Sequence, residues 1–369
     1  MNVLHICSEY SNKSLYVNLL KALENKGVHQ YVFIPIKHKK YIDNNKFSSS
    51  KVFFYYSKII SQLDRFLYLK KSFKIVRNIE KKINLKEIDF IHAHTLYTNG
   101  GPAYLLSKKY KIPYIITIRN TDVNLFLRYF LHTRRFVHKV MINAKKIIVL
   151  SPYYKQFILN RYITKDENKV SKKFVTIPNG IDDFWHSKVD KRIDINSNYL
   201  KLLYVGEFTK NKNIENIIRT SLLLINKGYQ IQLTLIGNFG NYAKEINKIA
   251  KNYEFIRIID KISDKQKLRT YYLRNDIFIM PSYHETFGLV YAEALSCGLP
   301  VIYSKNQGID GYFYEGYIGY AVNPKSPLDI SEKILLIKDN YNQISKNCKI
   351  SSVIFKWNKI ANTYISLYS

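Results

Sequence analysis

A chain of 369 residues is longer than a single hydrophobic core usually supports, so two domains are expected. Lysine and arginine number 58 against 28 acidic residues, and the resulting formal net charge of +30 favours anionic partners at long range. The three cysteines, Cys7, Cys297 and Cys348, lie far apart without metal or redox spacing, which excludes a disulfide framework and a zinc module and points to a reducing compartment.

Val3–Cys7 reads as a first strand, so the chain opens on a fold element and not on a signal sequence. No window approaches a transmembrane span, and a cytoplasmic protein, soluble or peripheral on the inner face of the membrane, is expected. Leu15–Asn25 reads as a helix stopped by Gly27, and Tyr31–Pro35 as the next strand. From Ser57 to Ile83 the residues Ile59, Ile60, Leu63, Phe66, Leu67, Phe73, Val76, Ile79 and Ile83 approximate a helical stripe. Lysines and arginines surround it, which suits either a helix lying on a bilayer or an ordinary helix covering a sheet. Residues 88–94 form a strand carrying His92 and His94 at its carboxyl end, on one face because alternate side chains share a face. Tyr114–Ile118, which runs into Arg119-Asn120-Thr121-Asp122, then Lys146–Leu150 and Phe174–Ile177 complete the strands of this half, closed by the turn Pro178-Asn179-Gly180.

A polar stretch, Asp182–Asn198, suits a linker, after which the rhythm restarts: strand Leu202–Val205, helix Asn213–Asn226, strands Gln232–Ile236 and Phe255–Ile259. Asp276–Met280 reads as a buried parallel strand closed by Pro281, Leu289–Ser296 as a helix closed by Gly298-Leu299-Pro300, and residues 318–322 as a further strand. Ser352–Tyr368 carries Phe355, Trp357, Ile360, Tyr364 and Leu367 on one apolar face. Two halves with one βα rhythm imply α/β architecture, two Rossmann-like domains with parallel sheets facing across a cleft, with ligands outside the strands' carboxyl ends.

The segment 280–304 carries the most specific chemistry. Glu285 falls in the loop after a strand, Gly288 permits a tight turn, and Glu293 lies about two turns into the following helix. Helix starts offer unpaired N–H groups and partial positive charge, so the amides of Phe287, Gly288 and Leu289 are candidate donors to a diphosphate. Two carboxylates along one elongated ligand suggest that several hydroxyls are read.

This segment resembles the Glu-x7-Glu signature of retaining glycosyltransferases of the GT-B fold, the "group 1" or family-four class. It is embedded in Pro281-Ser-x-x-Glu285-x-Phe287-Gly288-Leu289 and followed by Ala294-Leu-x-x-Gly298-x-Pro300-Val301. The resemblance covers nearly the whole chain and implies an acceptor-binding domain over 1–182, a nucleotide-sugar domain over 183–350, and a terminal helix over 351–369 that returns to the first domain. It implies Glu285 on the donor sugar, Glu293 on the ribose, and Lys212, five residues after position 207, neutralising the leaving diphosphate. Position 207 holds glutamate where the family usually has arginine, and Arg119 replaces a histidine near the reacting carbon, while Asp122 matches the family's acid.

Gly206, Glu207, Asn238 and Ile262, at the ends of other strands, are further donor-side candidates, and the polar passage 303–311 suits a loop near the donor. His92, His94, Arg119, Asn120 and Asp122 are the acceptor-side or cleft candidates. The expected reaction transfers a sugar, with retention, from a nucleotide-diphosphate sugar to a hydroxyl, by front-side attack and with no metal or cofactor. Passages such as His92-Ala93-His94 and Arg119-Asn120-Thr121-Asp122 resemble bacterial enzymes of capsule and exopolysaccharide synthesis, whose acceptors are lipid-linked. An anionic membrane surface is then a further partner, although an AT-rich genome would also explain the excess of lysine. Glu207 and Arg119 leave open a degenerate protein that binds nucleotide sugar or glycan without turnover. A basic nucleic-acid binder is a third reading, but with no nucleic-acid motif visible, no such partner is expected.

Overall fold

The computed structural model describes residues 1–163, 167–187 and 198–369. Most of the expected linker, residues 188–197, lies outside them. The chain divides into two compact units: Met1–Gly180 with Trp357–Ser369, and Ile181–Lys356.

Among the described residues, the first unit is built on seven strands: β1 Asn2–Ile6, β2 His29–Ile36, β3 Val52–Lys58, β4 Phe90–Ala93, β5 Tyr114–Thr117, β6 Lys146–Val149 and β7 Phe174–Thr176. Their spatial order is β3-β2-β1-β4-β5-β6-β7, with parallel pairing throughout. Strands of such a sheet are covered on both faces, which is why they read as continuous apolar runs. Alternate residues divide accordingly. Leu4, Ile6, Ile91, Ile116 and Ile147 pack with the helices Tyr68–Lys82, Gly101–Tyr110 and Arg134–Asn143, while Val3, Phe90, Ile115 and Ile148 pack with Leu15–Glu24 and Trp357–Tyr368. The close fit of Gly180 against the last helix leaves no room for a side chain, since a Cβ there would lie 2.4 Å from the Trp357 ring.

The Ser57–Ile83 stripe is not one helix. Ser57 and Lys58 end strand β3, a 3-10 turn spans Leu63–Arg65, and the helix starts only at Tyr68. Its inner face is Tyr68, Lys71, Ser72, Ile75, Val76 and Ile79, whereas Leu69 and Phe73 stay exposed with Leu63, Phe66 and Leu67. One lysine is therefore inside and several large apolar residues are outside.

The second unit repeats the plan with β8 Tyr199–Val205, β9 Gln230–Gly237, β10 Ile256–Asp260, β11 Ile277–Met280, β12 Val301–Ser304 and β13 Gly319–Val322. The order β10-β9-β8-β11-β12-β13, all parallel, is that of the doubly wound dinucleotide-binding fold. Strand order reverses between β8 and β11, and ligands of doubly wound sheets bind at the carboxyl ends of the strands beside such a point.

Candidate active site

The loops after β8 and β11 meet at this reversal. After β8 the chain passes Gly206 and Glu207 into a short 3-10 turn, Lys210–Lys212, and leaves it at Asn213 in the left-handed conformation with φ of +60°. After β11 it runs through Pro281 to Glu285. The two loops are stitched by Asn211, whose amide donates to the His284 carbonyl at 2.9 Å while its oxygen accepts from the His284 N–H at 3.0 Å. Asn213 adds a bond to the Pro281 carbonyl at 3.0 Å. Held in this way, the Lys212 ammonium lies 2.7 Å from a Glu285 carboxylate oxygen. Both side chains keep some access to solvent, at 21% and 14%.

The other Glu285 oxygen accepts from the Thr286 N–H at 3.0 Å and weakly from Phe287 N–H at 3.4 Å. From the far side, the loop after β12 closes in. Gln307 accepts from the Glu285 N–H at 3.0 Å, and the Gly308 N–H donates to the Glu285 carbonyl at 2.7 Å. Gly288 then caps the helix Leu289–Ser296 at φ +75°, where a Cβ would press on the Tyr291 ring at 2.6 Å. Only glycine takes this conformation without strain. Helix starts leave their first amides unpaired, and this one directly follows the loop that carries Glu285.

Glu293, two turns on, accepts a hydrogen bond from the Tyr272 hydroxyl at 3.0 Å. Burial pushes its carboxyl up to about 7, against the pull of that hydrogen bond and of Lys265. Gly206, Glu207 and Asn238 follow β8 and β9, and Ile262 comes two residues after β10, so all four belong to the same edge of the sheet. A Cβ on Gly237 would lie 1.9 Å from the Gly206 carbonyl oxygen, so these two loop starts touch main chain to main chain. Phe287 is buried, and Leu289 is half-buried at the helix start.

The candidates of the first unit behave differently. His92 and His94, candidates for the cleft or for a structural role, are sealed in the core at 0% and 1% exposure. His5 pairs in register with His92, and its Nδ1 lies 3.0 Å from His94 Nε2; His92 bonds to Tyr368 Oη at 2.9 Å and Thr117 Oγ1 at 3.0 Å. The physical reason is coverage: Tyr16, Tyr364 and Tyr368 pack on the rings and shut them off from solvent. Burial drives His5 down to about 3 and holds His92 and His94 well below the usual histidine range, so all three are neutral. Among the described residues these three form one group with metal-ligand geometry, their nitrogens within 4.8 Å, but it includes no carboxylate.

Arg119 is likewise internal, donating to Asn179 at 2.8 Å and lying over the Tyr16 ring at 5.3 Å. The Asp122 carboxylate accepts the N–H groups of Leu96, Tyr97 and Arg119 at 3.1, 2.8 and 2.9 Å. It ties two loop starts together, and burial raises it to about 6 although those amides oppose the shift. Asn120 is exposed. Thus Lys212, Glu285, Gly288 and Glu293 sit along one sheet edge of the second unit, whereas His92, His94, Arg119 and Asp122 are structural partners of one another. Asn211 and Tyr272 carry no local sequence signal, because each takes its role from a partner remote in sequence.

Residues 187–351 match the family model for glycosyl transferases group 1, and residues 14–183 match that for glycosyltransferase family 4. A glycosyltransferase of Methanocaldococcus jannaschii, MJ1178, is 30% identical over 297 residues, covering 79% of this chain and 77% of the relative. The chain belongs to the group 1 glycosyltransferases. Like them it is an enzyme of sugar transfer. The capsular polysaccharide biosynthesis glycosyltransferase CapM of Staphylococcus aureus is 28% identical over 207 residues, 53% of this group 1 glycosyltransferase and 52% of CapM. The sucrose-phosphate synthase of Thermosynechococcus elongatus superposes with a TM-score of 0.78 at 22% identity, over 100% of this chain and 98% of that one, which gives the GT-B fold.

Proposed function

We propose that this enzyme transfers a sugar, with retention of configuration, from a nucleoside-diphosphate donor to a hydroxyl of a lipid-linked glycan, in synthesis of a cell-surface polysaccharide such as capsule. The observation that carries the donor side is the Lys212–Glu285 pair at the strand-order reversal, 2.7 Å apart and next to a glycine-capped helix start. Without donor, each charge neutralises the other. A bound donor offers better partners to both: its diphosphate takes the Lys212 ammonium and the amides near Gly288, and a sugar hydroxyl donates to Glu285. Glu293, beside Tyr272, suits the ribose hydroxyls.

In the reaction the acceptor oxygen forms its bond to the anomeric carbon on the face from which the diphosphate departs. The electron pair of the broken bond goes to the phosphate oxygen, which also takes the acceptor's proton. Preorganised cationic and N–H groups stabilise charge that develops there, a contribution worth several kcal/mol. Lys212 and the helix start supply those groups, and the reading requires no metal or cofactor.

The name of CapM supports the capsular context. The excess of basic residues supports peripheral attachment to an anionic inner membrane face, and no helix among the described residues is long and apolar enough to cross a membrane. Sedimentation with anionic vesicles should therefore succeed at low salt and fail at high salt; salt-insensitive or absent sedimentation refutes the attachment. The donor is tested by thermal denaturation with UDP, GDP, ADP and their sugars. One series should stabilise the protein by about 2.7 kcal/mol at a hundred times its dissociation constant. No response to any of them sinks the reading. Glu207, where the family usually has arginine, keeps one rival in view: a binder without turnover. Turnover of the stabilising donor, lost in Glu285→Ala, separates the two.

A further inference from the structure

At the carboxyl ends of β1–β4 in the first unit lies a cavity of about 260 Å³, whose walls include Ser8, Lys37, Ile60, Asp64, Lys71 and Phe126. Lys71 is only 4% exposed, yet its ammonium makes no hydrogen bond or ion pair with any described residue. In contact it has the ring faces of Tyr68 and Tyr97, at 5.4 and 5.1 Å, while the carboxylates of Asp64 and Asp122 favour its charge from beyond bonding distance. Asp64, in the same wall, is occupied elsewhere: it accepts from the Ser61 N–H at 2.6 Å and meets Lys74 at 3.5 Å. Burying an ammonium with no counter-ion in contact is unfavourable, so such a group is normally found in a direct pair. Burial lowers Lys71 to about 8, which still leaves it mostly charged at neutral pH.

The cavity's rim is the second observation. Leu63 and Phe66 are 69% and 58% exposed, and Leu67, Leu125, Tyr129 and Leu131 are exposed with them. Aromatic contacts make rim and cavity continuous, because Phe126 in the wall packs on Phe130 at 5.3 Å and Phe130 stacks on Phe66 at 5.9 Å. An apolar lip leading to a buried, unpaired cation matches a ligand that is oily at one end and anionic at the other.

We propose that this cavity binds the phosphate head of an amphiphilic acceptor, with Lys71 as its counter-ion and the Leu63, Phe66, Leu67 and Leu125 lip carrying its hydrocarbon chain. The proposal rests on the reading of the enzyme as acting on a lipid-linked acceptor, and it adds the place and the chemistry of recognition. A charge-assisted bond from Lys71 to phosphate would supply the partner that the fold withholds.

Isothermal titration of the full-length enzyme with octyl phosphate, inorganic phosphate and the uncharged octyl glucoside tests it. Octyl phosphate should bind, and Lys71→Met should weaken it about tenfold or more. Phe66→Ser with Leu67→Ser should weaken octyl phosphate but leave inorganic phosphate unchanged. Equal binding of octyl phosphate by wild type and Lys71→Met, no binding by wild type, or octyl glucoside binding as tightly would each overturn the proposal. Should Lys71→Met fail to fold, the rim variant decides alone, since equal weakening of both phosphates contradicts the lip. Nucleotide binding, measured on the same proteins, should not change with Lys71. Loss of nucleotide binding in wild type would strike the donor reading and leave this one standing.

Discussion

Both sheets reverse strand order beside their first strand, at β1/β4 in the first unit and β8/β11 in the second, yet the groups placed there differ in kind. In the second unit the reversal holds an ammonium and a carboxylate with access to solvent. In the first it holds three neutral, sealed histidines, with Arg119 and Asp122 spent on neighbouring loops. One topology therefore supplies a solvent-reachable ion pair in one copy and a rigid floor in the other. In the first unit Tyr16, Tyr364 and Tyr368, carried by two helices, close over the rings.

The sharpest break would come from removing charge at each place in turn. Glu285→Ala and Lys212→Met should each lower kcat by about 10²–10³ with little loss of fold, the size expected when one preorganised group that stabilises transition-state charge is removed; steady-state kinetics checks this. Glu285→Ala with near wild-type kcat would move the reactive edge elsewhere.

Acid should test the floor. Each buried histidine has a folded pKa below its ordinary 6.5, so the unfolded chain takes up more protons in acid. Stability from these groups is complete above pH 6.5 and falls as pH drops, by at most about 1.4 kcal/mol per pH unit for each histidine. Denaturant midpoints from pH 7 to 5 should show the slope, and His5→Asn should reduce it by a third.

Glu293 gives the opposite sign and a smaller effect. Its folded pKa of about 7 lies above its ordinary 4.5, so its favourable share is complete in acid and is lost as pH rises through 7. Glu293→Gln should flatten the stability profile between pH 5 and 8 by about 2–3 kcal/mol. An unchanged profile would mean that the carboxyl is better solvated than its packing against Tyr272 implies.

The doubly wound class and the strand-loop-helix unit around Glu285 were legible because buried parallel strands are uniformly apolar and the turn needs glycine at 288. Strand β3, Val52–Lys58, lacks such a signature: it is an edge strand, and its last residues run into Ile59 and Ile60, which fit a helical period equally well. The apolar stripe that followed was real but divided, because periodicity records hydrophobicity and not which face the sheet covers. His92 and His94 share a face, as alternation requires, but what packs on that face comes from Tyr16 and from Tyr364 and Tyr368 at the far end of the chain. The stitching of Asn211 to His284 spans 73 residues and leaves no local trace.

The chain leaves the first unit after Gly180 and re-enters it at Trp357, and Ile181 bridges to Lys356 in parallel. The second unit is thus an insertion whose two ends emerge side by side. Joining position 180 to 357 through a few glycines should give a self-standing first unit with its last helix in place, and residues 181–356 should be separable as a small nucleotide-binding module.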